Sequence, residues 1–173
     1  MKTTMFAALA AVSLFSGGAV LAADAPDSKL LQEMQDRTEI EALMWRYVRA
    51  LDTLDAEAYA AVYTEDGTFG SGQNQEKGRA ELGKMITDLK KSRAEREAKG
   101  EPKSPQMYHT IFNHTIEFKD RDHATYQSYW ATMFAASGQQ TPARVAAVGR
   151  GVDELVRVNG HWLIKARDVA PKD

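Results

Sequence analysis

The stretch Ile40–Tyr63, "IEALMWRYVRALDTLDAEAYAAVY", sets the architecture. Ile40, Leu43, Met44, Tyr47, Val48 and Leu51 recur at i, i+3, i+4, i+7, i+8 and i+11, one continuous apolar stripe. That spacing predicts a long helix, over 30–51, with one face against a core. The pattern breaks at "DTLD", and "AEAYAAVY" begins a second, shorter helix over 56–63. Two aspartates occupy the break. Asp55 precedes the second helix, where its carboxylate can accept from the first free backbone N–H groups as an N-cap. Asp52 has no such role. It ends the first helix, where exposed carbonyls disfavour a carboxylate. It also stands one turn beyond Val48, at the edge of the apolar stripe. A solvated helix end and a side chain pointing partly inward are both compatible with that place.

Upstream, "MKTTM" is a short basic start, and "FAALAAVSLFSGGAVLA" an apolar run ending in the small-residue pattern Val20-Leu21-Ala22. Residues 1–22 are therefore expected to be a signal peptide, the mature chain starting at Ala23 in the periplasm or outside the cell. The run is short for a membrane span and Ser16-Gly17-Gly18 interrupts it, so no stable membrane insertion is expected after cleavage. Residues 23–29, containing "APDSK", predict a polar linker, and 30–173 a single domain. The chain has no cysteine, which excludes thiol nucleophiles, thiolate metal sites and disulfides. With 22 basic and 24 acidic residues it carries no surplus of positive charge for nucleic acid.

Downstream, Asp66-Gly67 marks a turn beside a short strand, and 78–99 is helical, dominated by charge after Leu89 and stopped by Gly100 and Pro102. Residues 107–118, 125–134, 144–158 and 161–169 are rich in β-branched and aromatic side chains, with "KDRDH" and "NG" as turns. Helices first and antiparallel strands afterwards predict an α+β fold, its helices covering one face of a curved sheet.

Four histidines remain to be placed. His123 and His161 belong to turns and should be exposed. His109 and His114 share one strand, five positions apart, so strict alternation puts them on opposite sheet faces. They therefore cannot pair on a metal, and a zinc site would need distant partners. "GSG" at 70–72 lacks the strand–loop–helix context of a phosphate site. No cofactor is expected.

Four segments together carry a family resemblance: "DRTEIEALMWRYVRALDTLDAEAYAAVYTEDGTF", "KGRAEL", "YHTIFNHTIEF" and "GRGVDELVRVNGHWLIKARDV". In order and punctuation they resemble the SnoaL-like branch of the nuclear transport factor 2-like cone fold. Scytalone dehydratase, hexachlorocyclohexane dehydrochlorinase and bile-acid 7α-dehydratase look similar around the opening stretch. The resemblance implies that Asp52 orients His109 as a general base inside the cone. It matches Tyr47 to a pocket tyrosine, and Asn113, on the His109 strand, is expected to line the same cavity. The second pocket histidine of scytalone dehydratase falls near Met133 here, so that acid–base set is incomplete. Arg150 and Arg167 are both candidates for the arginine of the bile-acid enzyme.

The implied activity is a cofactor-independent lyase, dehydratase-like, or isomerase acting on a small apolar or aromatic molecule. The family also implies a homo-oligomer, dimer or trimer, packed through the outer sheet face. It includes non-catalytic members, so a ligand-binding or partner-stabilising module is the alternative. A ketosteroid-isomerase-like base on a strand would need an inward carboxylate, and Glu117 is the one on the His109 face by alternation.

Overall fold

The apolar stripe does what its spacing requires. In the computed structural model, which describes residues 25–72, 75–137 and 141–172, Ile40, Leu43, Met44, Tyr47 and Val48 are all buried. They belong to helix α1, Ala25–Thr53. The expected signal peptide lies outside the described residues. Part of the expected linker is helical instead, because α1 already starts at Ala25. Pro26 is compatible with that start: the first turn of a helix uses none of its own N–H groups, so a missing one costs nothing.

The chain leaves α1 through a left-handed residue, Leu54, at φ 52°. Asp55 N–H donates to the Ala50 carbonyl at 2.9 Å and Leu54 N–H to the Leu51 carbonyl at 3.3 Å. This pair of reversed bonds closes the helix end as a Schellman motif, without the glycine that usually marks it. Asp55 then caps helix α2, Ala56–Ala61, accepting from Ala58 N–H at 3.0 Å. Asp55→Ala should cost about 1 kcal/mol of stability and leave activity nearly intact. Chemical denaturation alongside an activity assay would check both halves, and a loss of activity as large as that from changing Asp52 would contradict it.

Strand β1 (Tyr63–Phe69), strand β2 (Glu76–Lys77) and helix α3 (Arg79–Ala98) follow. Beyond them comes a meander of β3 (Met107–Phe118), β4 (His123–Phe134), β5 (Arg144–Val158) and β6 (His161–Asp168). The six strands form one curved, open sheet in the order β2-β1-β6-β5-β4-β3. The "NG" turn joins β5 to β6 with Asn159 and Gly160 both at positive φ, 52° and 85°, as a tight hairpin demands. The sheet is mixed, not wholly antiparallel, since β1 runs parallel to β6. Hairpin neighbours must reverse direction, but β1 meets β6 across most of the domain, where no tight turn dictates orientation.

The decisive irregularity is in β3. Phe112 pairs with Tyr129, yet Thr115 pairs with Gln127. Two residues, Asn113 and His114, thus face one, Ser128, and Asn113 takes φ 48°. This is a β-bulge, and it resets the alternation. Before it, Met107, His109 and Ile111 point to the helix side; after it, His114, Ile116 and Phe118 do.

Candidate active site

Asp52 is buried, with its side chain only 5% exposed. Its Oδ1 accepts twice from one residue of β3: from the His109 backbone N–H at 2.9 Å and from His109 Nδ1 at 2.7 Å. A carboxylate can only accept, so Nδ1 carries the proton and Nε2 keeps its lone pair. The unfavourable helix end is relieved as well, because Gln106 Nε2 donates to the Asp52 backbone carbonyl at 3.2 Å. The last turn of α1 and the start of β3 are thereby fastened at one point.

His109 lies between two lobes of a cleft under α1. One lobe, about 200 Å³, is lined by Tyr47, Leu51, Phe69, Trp130, Thr132 and Arg167 among others, and is chiefly apolar. The other, about 260 Å³, opens past Met44, Trp45 and Glu41 toward His114 and Tyr126. Val48, His109 and Ile111 border both. The two lobes have the scale of a site for a small molecule.

Tyr47 is where it was expected, on the wall of the inner lobe. Its ring packs against Tyr59 and Tyr63 at centroid distances of 5.5 and 6.4 Å. Burial first, and the Tyr47 phenol next, push the Tyr59 and Tyr63 hydroxyls well above their ordinary pKa, so both remain neutral. Over the Tyr47 ring, at 4.2 Å, sits the Arg167 guanidinium. Arg167 is 2% exposed and paired with Asp153, which is 0% exposed. Burial holds the Asp153 carboxyl up at about 6 against the downward pull of that guanidinium.

Of the two candidate arginines, then, Arg167 lines the cavity. Arg150 does not: it pairs across the sheet with Tyr129, which is 49% exposed on the outer face. Asn113 is also misplaced by the alternation. It is the bulge residue, exposed and outside both lobes. The same bulge turns Glu117 outward, so the carboxylate base on β3 has no support. His114, expected on the far face, instead borders the cavity together with His109.

Asp153 was not among the sequence candidates. The signal was available in "GVDELV", where it shares the strand face of Leu155, an acidic side chain at an inward position. Tyr126, opposite Asp153 on β4, is also inward and buried. Among the described residues no group of three His, Asp or Glu side chains is placed to hold a metal ion, and no helix is long and apolar enough to cross a membrane.

A model of the SnoaL-like domain family matches residues 32–168. No curated protein sequence matches the chain. Among solved structures, an NTF2-like protein with a cystatin-like fold from Novosphingobium aromaticivorans superposes with a TM-score of 0.68 at 24% identity, covering 87% of this chain and 91% of its own. A candidate scytalone dehydratase from the same organism gives 0.62 at 23%, covering 81% and 86%. A Catenulispora acidiphila protein in complex with S-DNPA gives 0.61 at 22%, covering 78% and 91%. At these identities the likeness is one of fold.

Proposed function

The chain belongs to the SnoaL-like domain family, and from that premise we propose that it is an exported, cofactor-independent lyase of the dehydratase kind, or an isomerase. Its substrate is a small apolar or aromatic molecule. His109 Nε2 takes a proton next to an activating group, Asp52 fixes the tautomer, and Tyr47 and Arg167 supply donors to the oxygen on which charge develops. The observation that carries this reading is the double acceptance by Asp52 Oδ1, from the backbone and the ring of His109 at the border of an apolar cavity. Proton abstraction by a positioned imidazole accounts for about 10²–10⁴-fold, and desolvation with fixed donors must provide the rest.

The test is a screen of small carbonyl and phenolic compounds bearing a β-hydroxyl or a labile α-proton, run without added metal or nucleotide. Asp52→Asn should lower turnover about 10²-fold or more while keeping a carbonyl to accept from the His109 backbone N–H. Asp52→Ala leaves that buried N–H without its acceptor and should cost about 1–3 kcal/mol as well. Compounds that bind wild type and His109→Ala alike, none being turned over, would establish the non-catalytic module in its place.

Location and assembly are part of the same proposal. Exported material should begin at Ala23 by N-terminal sequencing, and recovery of an intact chain from Met1 would defeat the signal-peptide assignment. On the outer sheet face Tyr108, Phe112 and Val148 are 45%, 43% and 69% exposed, and Phe112 stacks with Tyr129 at 6.3 Å. Such a patch favours a homo-oligomer closed over it.

A further inference from the structure

Trp130 of β4 forms part of the wall of the inner lobe, and its surroundings decide what it can show a ligand. Its Nε1–H is given to two main-chain carbonyls, those of Arg150 at 3.2 Å and Val169 at 3.1 Å. An indole has no other polar atom, so the ring turns only carbon and π surface toward the lobe. The same two bonds tie it to β5 and to the chain just beyond β6. The ring leans over Gly149 of β5, its partner in the sheet register. A Cβ at Gly149 would stand 2.6 Å from Trp130 Cζ2 and 2.8 Å from Cε2, far inside contact distance. Gly149 is not among the glycines at positive φ, so the backbone does not call for it there. What it contributes is the missing side chain: a glycine inside a strand weakens the strand and marks a close approach. Nor is Trp130 core filling. Trp162 is 0% exposed, whereas Trp130 stays half-buried on the cavity wall.

We infer that Trp130 is an aromatic platform, by which the inner lobe selects a planar aromatic ring over an aliphatic ring of the same size. This rests on the reading of His109 above and deepens it, by naming the class of substrate. Trp130 pairs with Ile111, and His109, paired with Thr132, is the next inward residue along β3. Diagonal neighbours of this kind lie about 7–8 Å apart across a sheet. A ring lying on Trp130 therefore holds the carbon attached to it near His109 Nε2. When that carbon gives its proton to Nε2, the electron pair left behind spreads into the ring. The lobe is about 200 Å³, so the platform serves a small ring system. Gly149 touches no ligand and acts through Trp130 as a positioning residue, setting how close to β5 the indole lies.

The experiment reads binding, so its outcome does not depend on turnover. Dissociation constants are measured by calorimetry for 2-tetralone and trans-2-decalone, which share a ketone and differ in an aromatic ring. Wild type should bind 2-tetralone about tenfold more tightly, the size of one aromatic contact. Trp130→Leu should bring the two within about twofold of each other, while Trp130→Phe, which keeps a ring, should hold a preference of about fourfold or more. Gly149→Ala forces the indole to move and should cut the preference at least about threefold. Gly151→Ala, whose Cβ would meet nothing nearer than 3.6 Å, should leave it unchanged. In wild type, nuclear Overhauser contacts should run from the aromatic protons of 2-tetralone to the Trp130 indole, a readout that needs no variant to fold. Contacts to Trp45 and Tyr126 instead would put the ring in the outer lobe and overturn the proposal. Equal affinities in wild type, or a preference that survives Trp130→Leu, would overturn it too and leave His109 untouched. A preference that follows Trp130, with no aromatic compound ever turned over, would keep the platform and remove the base. Gly149→Ala protein that melts lower with its preference intact would reduce Gly149 to packing and overturn its positioning role.

Discussion

His109→Ala should abolish turnover of any substrate the cavity accepts, a fall of at least about 10²-fold and up to about 10⁴-fold in kcat. The loss should lie in kcat more than in KM, since Nε2 acts on a proton that moves only in the transition state. His109 is side-chain buried to all but 17%, yet its backbone N–H still reaches Asp52 when the ring is gone, so the fold should survive. In wild type the rate should fall on the acid side of the pH profile, because a protonated imidazole cannot accept. Steady-state kinetics of folded variant protein decides the matter; a variant retaining more than a tenth of wild-type kcat would exclude His109 as the base.

The largest effect on stability should come from Asp153→Asn. Asp153 and Arg167 are both almost wholly inside, and among the described residues Asp153 is the carboxylate that forms an ion pair with Arg167. Removing one charge leaves the other buried without compensation, which costs about 3–5 kcal/mol. For a domain of this size that lowers Tm by roughly 10 °C. Asp153→Leu combined with Arg167→Met should recover most of the loss, because two apolar side chains need no pairing. The double variant should still lose activity, for Arg167 also caps the Tyr47 ring on the cavity wall. Thermal unfolding of the three variants separates these contributions. A single-variant loss under about 1 kcal/mol would mean that water reaches the pair.

How much of this was legible beforehand differs by element. The α1 stripe was plain because helix periodicity accumulates over many residues, and "NG" named its hairpin from two. Asp52 and His109 came from a resemblance, and the geometry joins them. Tyr47 held its place, being on a helix whose phase was fixed. The errors cluster on β3. Strict alternation put Asn113 and Glu117 inside and His114 outside, and one extra residue inverted all three assignments. An asparagine that tolerates positive φ was the available hint, but asparagine is common in other settings too. The parallel pairing of β1 with β6 was illegible for another reason: it joins strands distant in sequence, where no local turn leaves a mark. The Asp153–Arg167 pair shares that difficulty in part: an inward acid and a candidate arginine could each be noticed, but only the register of β5 on β6 shows that they face one another.

The extra residue at Asn113 also determines which mutations can reshape this cleft. Most substitutions change one side chain, but one that denies Asn113 its positive φ would draw that residue into the regular ladder and shift the frame of everything beyond it. His114 would leave the mouth of the cavity, and with it Ile116, now 6% exposed, and Phe118, now against Trp162, would turn to solvent. Thr115 and Glu117 would enter the core in their stead. Deleting Asn113 would do the opposite, since His114 would then follow Phe112 directly and all three would stay inward. The second histidine therefore travels with two of the anchors that hold the sheet to α1, and a slip that hides it also uncovers them. Its position is proofread by the hydrophobic core, a safeguard that the first histidine, lying ahead of the insertion and tied to Asp52, does not need.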